Sequence, residues 1–499
     1  MLWLWFLEML KKCQSSFLEN GSMVLGAKRQ QRCLLAPIFI SFLLLSASAF
    51  AQEDASKILK LSLSETANKV VQHLPQLKIQ EYAVLAAQAS KKEAYSSYLP
   101  SVGLGFSATR GNDPVYVFSS LLKQRSFSQE NFAVPSLNKP DPFSNYQSAL
   151  ELSLPIFSAF QTEGRVRSAD FAVKASQSLR ENSEQEAMLT AIIAYTRVLS
   201  LEKMIAVAQD IVTISEQAVK EAENLQSKGM VLGCDYLTAR ATIAQMKRFL
   251  ETTKFKLAAA YSSLSILMGL SQEEKIALIH TIPPEQFPEI DIVEFQKDLL
   301  TLRKDAQAAK YNVDLSQSEL AREKNNRLPN ISAFARAESN TNQWDDSAEN
   351  YTAGLQLRMN IFEPSLSPRI DRLQAEVKRS KSFYLQVEES LKDSLQQTLS
   401  EYQSQNEILK LTKQSLMDAR QAGMSIGDLY RVGKRSIADF LKAQTYQLEL
   451  ENTYWDIRFG AYINFAKLFF LSGKLNSENM QILETMLAQD NVSLVEQTP

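Results

Sequence analysis

The sequence predicts a mainly α-helical protein with a small transmembrane β part, built from two duplicated helix–strand–strand–helix units. The first observation is a set of long, helix-favouring segments without Gly or Pro: 165–228, 235–268, 301–328 and 369–422. The second is that short sequence marks recur in the same order in both halves. The third is a segment in each half that alternates between apolar and polar residues, as a two-faced strand does.

Composition excludes several classes of protein. The formal net charge of −2 offers no basic footprint for nucleic acid. Two His and three Cys leave little for a zinc site or a Cys/His catalytic pair. Gly103-Leu104-Gly105 lacks the third Gly of a dinucleotide loop, and neither a GKS/T loop nor an HExxH is present. We therefore predict no enzymatic activity, no metal site and no cofactor.

Residues 1–51 are predicted to be an N-terminal extension and a secretory signal peptide. The positively charged start of the signal would lie at Lys28 to Arg32, and its apolar middle at 34–45. The cleavage site would be Ala49 to Ala51. The apolar run is about 12 residues, shorter than the roughly 20 that span a bilayer, so a membrane anchor is the less favoured alternative. Residues 1–22 fit no part of a signal, which suggests a misplaced start codon.

The first repeat is predicted to span 52–270. Its strands are expected at about 101–110 and 146–157, and its long helices run to 228 and over 235–268. A helix of about 64 residues would be roughly 96 Å long, which indicates coiled-coil packing. The polar segment 111–145 is predicted to be a long solvent-facing loop, and the spacing of the repeated marks shows that it contains an insertion.

The second repeat is predicted to span 301–475. Its strands are expected at about 330–339 and 351–362, its helices at 365–430 and 434–472, and a short loop at 340–350. Residues 271–300 are predicted to link the repeats outside the helical tube, and 476–499 to form a loosely held tail. The marks shared by the repeats are Leu99-Pro100 and Leu328-Pro329, Asn145-Tyr146 and Asn350-Tyr351, Ile156-Phe157 and Ile361-Phe362, and Gly229 and Gly433.

Each predicted strand is about as long as a tilted β-strand that crosses a bilayer, which needs 9–11 residues. Apolar residues such as Leu152 and Leu355 would face lipid, and Glu151 and Arg358 would face a water-filled barrel lumen. A soluble hairpin with one wet face is the alternative. If the strands do span a membrane, several chains must share one barrel, because four strands cannot close one and lipid does not tolerate open edges.

In its repeated marks and in two further motifs, the chain resembles the TolC-type outer-membrane efflux protein family. Leu61 to Ala67 is similar to that family's opening motif, and Tyr430 to Ala443 is the most specific match. The resemblance implies a homotrimer with a shared β-barrel in outer-membrane lipid, continued by a long coiled-coil α-barrel in the periplasm of a Gram-negative bacterium. It also implies docking, through a periplasmic adaptor, to an inner-membrane pump of the RND, ABC or MFS type.

The function implied is that of an exit duct in a tripartite efflux or type I secretion system, which conducts substrates passively from periplasm to exterior. The alternative is a periplasmic coiled-coil adaptor or structural protein of an export system. Adaptors usually carry one helical hairpin within Gly/Val-rich β-domains, whereas this chain has two matched units.

The resemblance also implies a periplasmic gate closed by polar links. One link would join Tyr430 to Asp235, and another would join Arg435 to Cys234, where the family has a hydroxyl residue. Asp439 matches the first constricting aspartate, and Lys442 occupies the position of the second. Alternatively, Asp235 and Asp439 are helix N-caps.

Overall fold

The computed structural model describes residues 59–271, 274, 276–279, 282–290, 299–343 and 346–488. The predicted signal peptide and extension lie outside these residues. The described chain is mainly helical with few strands, as predicted. None of its described helices is both long enough and apolar enough to cross a membrane.

The first half contains two very long antiparallel helices and one strand hairpin. Its elements are β1 Leu59–Leu61, α1 Leu63–His73, α2 Pro75–Ser96, β2 Ser101–Gly111, α3 Pro114–Lys123, α4 Val134–Asn138, β3 Phe143–Phe157, α5 Gln161–Ser227 and α6 Gly233–Met268. A 3-10 turn at Gln129–Phe132 separates α3 from α4. The 67-residue α5 is about 100 Å long at 1.5 Å per residue.

The second half repeats this order of helices and strands. Its elements are β4 Ile276–Leu278, α7 Lys304–Lys324, β5 Asn330–Gln343, β6 Asp346–Arg358, α8 Leu366–Arg431, α9 Ile437–Leu471 and α10 Ser477–Ala488, with a 3-10 turn at Asn325–Arg327. The two longest helices, α5 and α8, end at glycines with positive φ, Gly229 at 76° and Gly433 at 71°. Glycine adopts this left-handed conformation without strain, so both halves turn at equivalent places.

The two halves are packed into each other rather than side by side. Helix α5 of the first half contacts α7 and α9 of the second half, as well as α1, α2 and α6 of its own. The largest apolar core includes Ile192 and Tyr195 of α5, Leu264 of α6, and Tyr462 and Leu468 of α9.

The described parts of the predicted linker and of the predicted tail both contribute to this core. The position of the linker outside the helical tube stays a prediction, whereas the packing of 476–488 corrects the prediction of a loosely held tail. Strand β4 pairs in parallel with β1, and its Leu278 is buried. The Tyr195 hydroxyl donates to the carbonyl of Ile279, 3.1 Å away. Helix α10 buries Met480, Leu483 and Leu487 at helical spacing, and this apolar stripe holds the segment in place.

The four long strands form one antiparallel sheet in the order β2-β3-β5-β6. The predicted short loop at 340–350 is mostly strand, since β5 runs to Gln343 and β6 begins at Asp346. Strand β6 ends at Arg358 rather than 362, because its partner strand begins at Asn330, directly after Pro329, and proline has no N–H to donate. The predicted loop at 111–145 also differs, since it contains α3 and α4.

Candidate functional site

One face of the four-stranded sheet is apolar on every strand. The register places Leu104 beside Leu150, and Leu150 beside Ala337. The same face carries Val102, Phe106, Leu152, Ala333, Tyr351, Leu355 and Leu357. Phe106 and Leu355 are 74% and 72% exposed in the single chain. A contiguous exposed apolar surface of this kind marks a contact with lipid or protein.

The opposite face carries a network of polar and charged side chains. Gln147 donates to the Glu338 carboxylate at 2.8 Å, and Asn145 donates to the Asn340 side-chain oxygen at 3.1 Å. The Arg336 guanidinium lies 3.1 Å from Glu151 and 3.2 Å from Glu338. This arrangement suits a surface that faces water, because charged groups left without partners or solvent are costly.

Both residues predicted to face a lumen lie on this polar face. Glu151 is opposite Arg336, and Arg358 is opposite Asn330 at the helical end of the sheet. The sequence interpretation missed Arg336 and Glu338. Their signal was the two-residue alternation of β5, which becomes clear only once the register with β3 is known.

The segment 111–145, called the insertion below, lies against the polar face. Three consecutive residues at the end of α3 make the contacts. The Lys123 ammonium is 3.3 Å from the Glu338 carboxylate on β5. Gln124 donates to the Asn145 side-chain oxygen on β3 at 2.7 Å, and Arg125 donates to the Glu349 carbonyl on β6 at 2.7 Å.

A second group of predicted site residues lies where α8 turns into α9. The Tyr430 ring stacks on Phe440, with centroids 5.7 Å apart and planes 8° from parallel. The Tyr430 hydroxyl donates to the Ala218 carbonyl of α5 at 3.2 Å. Burial raises the pKa of Tyr430, so its hydroxyl stays a donor above its usual titration range. These contacts hold the turn of the second half against the long helix of the first.

Arg435, Asp439 and Lys442 line one side of a shallow groove beside Asp418 of α8. Arg435 and Asp439 form an exposed ion pair at 3.8 Å. The N-cap of α9 is Ser436, whose hydroxyl accepts from the Asp439 N–H. The N-cap alternative for Asp439 is therefore wrong, and the same alternative for Asp235 fails because Leu232 occupies the N-cap position of α6.

In the first turn of α6, Cys234 is exposed and Asp235 is half-buried. The Cys234 sulfur is 3.9 Å from an Asp235 carboxylate oxygen, a weak contact. Over the described part of one chain, the hydroxyl of Tyr430 bonds to Ala218 and Arg435 pairs with Asp439. The predicted links of Tyr430 to Asp235 and of Arg435 to Cys234 stay predictions.

The structure is a two-faced strand sheet joined to two matched pairs of very long helices, an architecture built from two repeats. The chain belongs to the outer membrane efflux protein family, whose model matches residues 66–270 and 296–474. The predicted resemblance is thereby confirmed. Membership locates the chain in the outer membrane of a Gram-negative bacterium, with its helical tube in the periplasm.

Solved channels share this fold at low sequence identity. The Campylobacter jejuni CmeC outer membrane channel is 13% identical, with a TM-score of 0.70 covering 86% of this chain and 90% of that one. The Vibrio cholerae outer membrane protein VceC is 15% identical, with a TM-score of 0.70 covering 82% and 96%. The open state of the Neisseria gonorrhoeae MtrE channel is 14% identical, with a TM-score of 0.67 covering 83% and 90%. A comparison with curated proteins found no match.

Proposed function

We propose that the chain is the exit duct of a tripartite efflux or type I secretion system, and that it conducts substrates passively without chemistry of its own. The observation that carries the proposal is the sheet with an exposed apolar face and a charged, hydrogen-bonded opposite face. Such a sheet can stand between lipid and a water-filled pore.

One chain leaves two sheet edges to be paired, so several copies must share the barrel, and we infer three copies from the family resemblance. Among the described residues, β2 pairs only with β3, and β6 only with β5. Neighbouring strands are antiparallel throughout, so β2 and β6 run in opposite directions, and the β6 of one copy fits the β2 of the next in the same pattern. Closure through three copies removes the edges that lipid does not tolerate.

The long helices continue the pore into the periplasm, where an adaptor connects it to an inner-membrane pump of the RND, ABC or MFS type. The gate lies at the turns that carry Tyr430, Arg435 and Asp439 together with Asp235, Cys234 and Lys442. The alternative, a periplasmic adaptor, gives no role to a sheet whose apolar face is exposed over four strands.

Planar-bilayer recording tests the proposal directly. The protein purified from the outer-membrane fraction, and a variant with Tyr430→Phe and Arg435→Ser, are reconstituted separately. We expect ion-conducting pores, with larger conductance in the variant. Failure of both proteins to form pores, although both assemble, would overturn the proposal.

A further inference from the structure

We propose that the insertion is a lid that folds onto the polar face and forms a second constriction at the outer end of the duct. The inference rests on the proposed function, since it requires the polar face to line the pore. The position follows from the topology: helices join the sheet at Ser101, Phe157, Asn330 and Arg358, whereas the insertion joins it at the opposite end, between Gly111 and Phe143.

The insertion is a preformed structure rather than a loose loop. Asp113 caps α3 by accepting from the Tyr116 N–H at 2.9 Å, and Pro114 occupies the first turn, where a missing N–H costs nothing. Phe127 stacks edge-on against Phe118 and against Phe132, with centroids 5.0 Å apart in each pair. The Tyr116 hydroxyl donates to the Thr109 carbonyl of β2 at 2.7 Å.

The contacts of Lys123, Gln124 and Arg125 form a latch across three strands. Asn350 adds a bond in the other direction, since its side chain donates to the Lys123 carbonyl at 2.9 Å. Arg125 has φ of 55°, a left-handed conformation that an L-residue adopts only where its surroundings hold it. Each strand contact is polar, so the latch can form on a face built for water.

The lid covers part of the polar face and leaves the rest exposed to solvent. Asn340 is 0% exposed beneath it, whereas Thr352 on the same face is exposed. On α3, Val117 and Ser120 share the helical stripe of Gln124 and are buried, and their neighbour Ser119 is exposed. Each chain carries one lid, because in the second repeat only two residues separate the end of β5 at Gln343 from the start of β6 at Asp346. A trimer therefore brings three lids over one mouth.

Cysteine labelling tests whether the lid is closed. In a Cys234→Ser chain, Ser120→Cys lies under the lid and Ser119→Cys, its matched control, lies on the outside; Cys13 and Cys33 fall within the predicted leader. We expect a membrane-impermeant maleimide to label Ser119→Cys quickly and Ser120→Cys slowly. Adding Lys123→Ala and Arg125→Ala removes two contacts of the latch and should speed the slow reaction about tenfold, which corresponds to about 1.4 kcal/mol. Equal rates at both positions with the latch intact would overturn the lid.

Conductance tests whether the closed lid narrows the pore. Deleting 114–138 in the Tyr430→Phe, Arg435→Ser background should raise single-channel conductance, and the latch variant should raise it by less. Lys139→Ala is the control, because Lys139 lines the cavity inside the insertion. Pores of unchanged conductance after the deletion would overturn the lid and leave the duct standing. Absence of pores in every variant, with trimers intact, would overturn the duct itself and the constriction with it.

Discussion

Tyr430 ties the end of α8 to α5 through one hydroxyl group. We expect Tyr430→Phe combined with Arg435→Ser to raise single-channel conductance in planar bilayers. The lost hydrogen bond is worth about 1 kcal/mol and the exposed ion pair at most about 1 kcal/mol, and three copies act together. Arg431→Ser is the control, since Arg431 makes a similar exposed pair with Asp428 at the same helix end. Unchanged conductance with normal trimers would assign these residues to the helix-turn surface alone.

Buried tyrosines make the helical part sensitive to alkali. Burial raises the pKa of Tyr402 to about 12, and it raises the pKa of Tyr462 as well. An unfolded tyrosine titrates near pH 10, so the stabilisation is complete below about pH 10 and is lost as the pH rises through about 12. We expect the thermal unfolding temperature in detergent to stay level up to about pH 10 and to fall between about pH 10 and about pH 12.

The variant Tyr402→Phe separates this effect from general alkaline damage. It loses the hydrogen bond to the Pro288 carbonyl, 2.7 Å long, and should cost about 1 kcal/mol at neutral pH. It should also show a smaller alkaline decrease, because one titrating group is gone. Tyr446→Phe, at an exposed position, should behave like the unchanged protein. An equal alkaline decrease in Tyr402→Phe would contradict the assignment.

For single residues, the sequence could predict which face of a strand a side chain occupies, but not which residue it contacts on the neighbouring strand. Alternation placed Glu151 and Arg358 on the polar side of their strands. The ion pair between Glu151 and Arg336 joins the two repeats, and it depends on the β3–β5 register, which no local pattern specifies. Ser436 was recoverable, since a Ser at the start of a helix is an ordinary N-cap signal.

The sheet should tolerate charge on one face only. We expect Leu152→Arg to impair membrane insertion by about 2–4 kcal/mol if the residue lies near the bilayer midplane. The adjacent Ser153→Arg, on the polar face, should insert normally and alter conductance. The measurement is the yield of folded protein in the outer-membrane fraction, followed by bilayer recording. Equal losses for both variants would mean that the two faces meet the same surroundings.

Helices were the most predictable elements, and the insertion was the least. The Gly- and Pro-free segment 235–268 lies within α6, Gly233–Met268, because two glycines bound it. The insertion is polar and contains Pro114 and Pro135, so its sequence predicts a loop. Proline also fits the first turn of a helix, and both residues occupy that position in α3 and α4.

The complete molecule should behave as a trimer. The open edges at β2 and β6 require neighbours, and the exposed apolar face requires lipid. We expect the protein to fractionate with the outer membrane, to migrate differently when heated, and to crosslink as a trimer in mild detergent. A monodisperse monomer without a crosslinked trimer would contradict this assembly.

The meeting of β1, β4 and α10 in one core has a consequence for biogenesis. Ser64 contacts Glu484, 420 positions later. The first helix therefore cannot finish packing until nearly all of the chain has crossed the inner membrane. Until then Leu61 and Leu63, fully covered in the folded chain, offer an apolar surface to periplasmic chaperones and proteases.

A chain stopped after Leu475 would keep that surface open, because α10 would be missing. We expect this truncation, and Leu483→Asp in the full chain, to be degraded before reaching the outer membrane, with Gln481→Asp on the exposed side as the control. Pulse-chase labelling with immunoprecipitation measures the loss, and normal survival of both damaged chains would contradict it. Loss of both damaged chains and survival of the control would mean that closure of this core by the last helix distinguishes a finished subunit from an interrupted one.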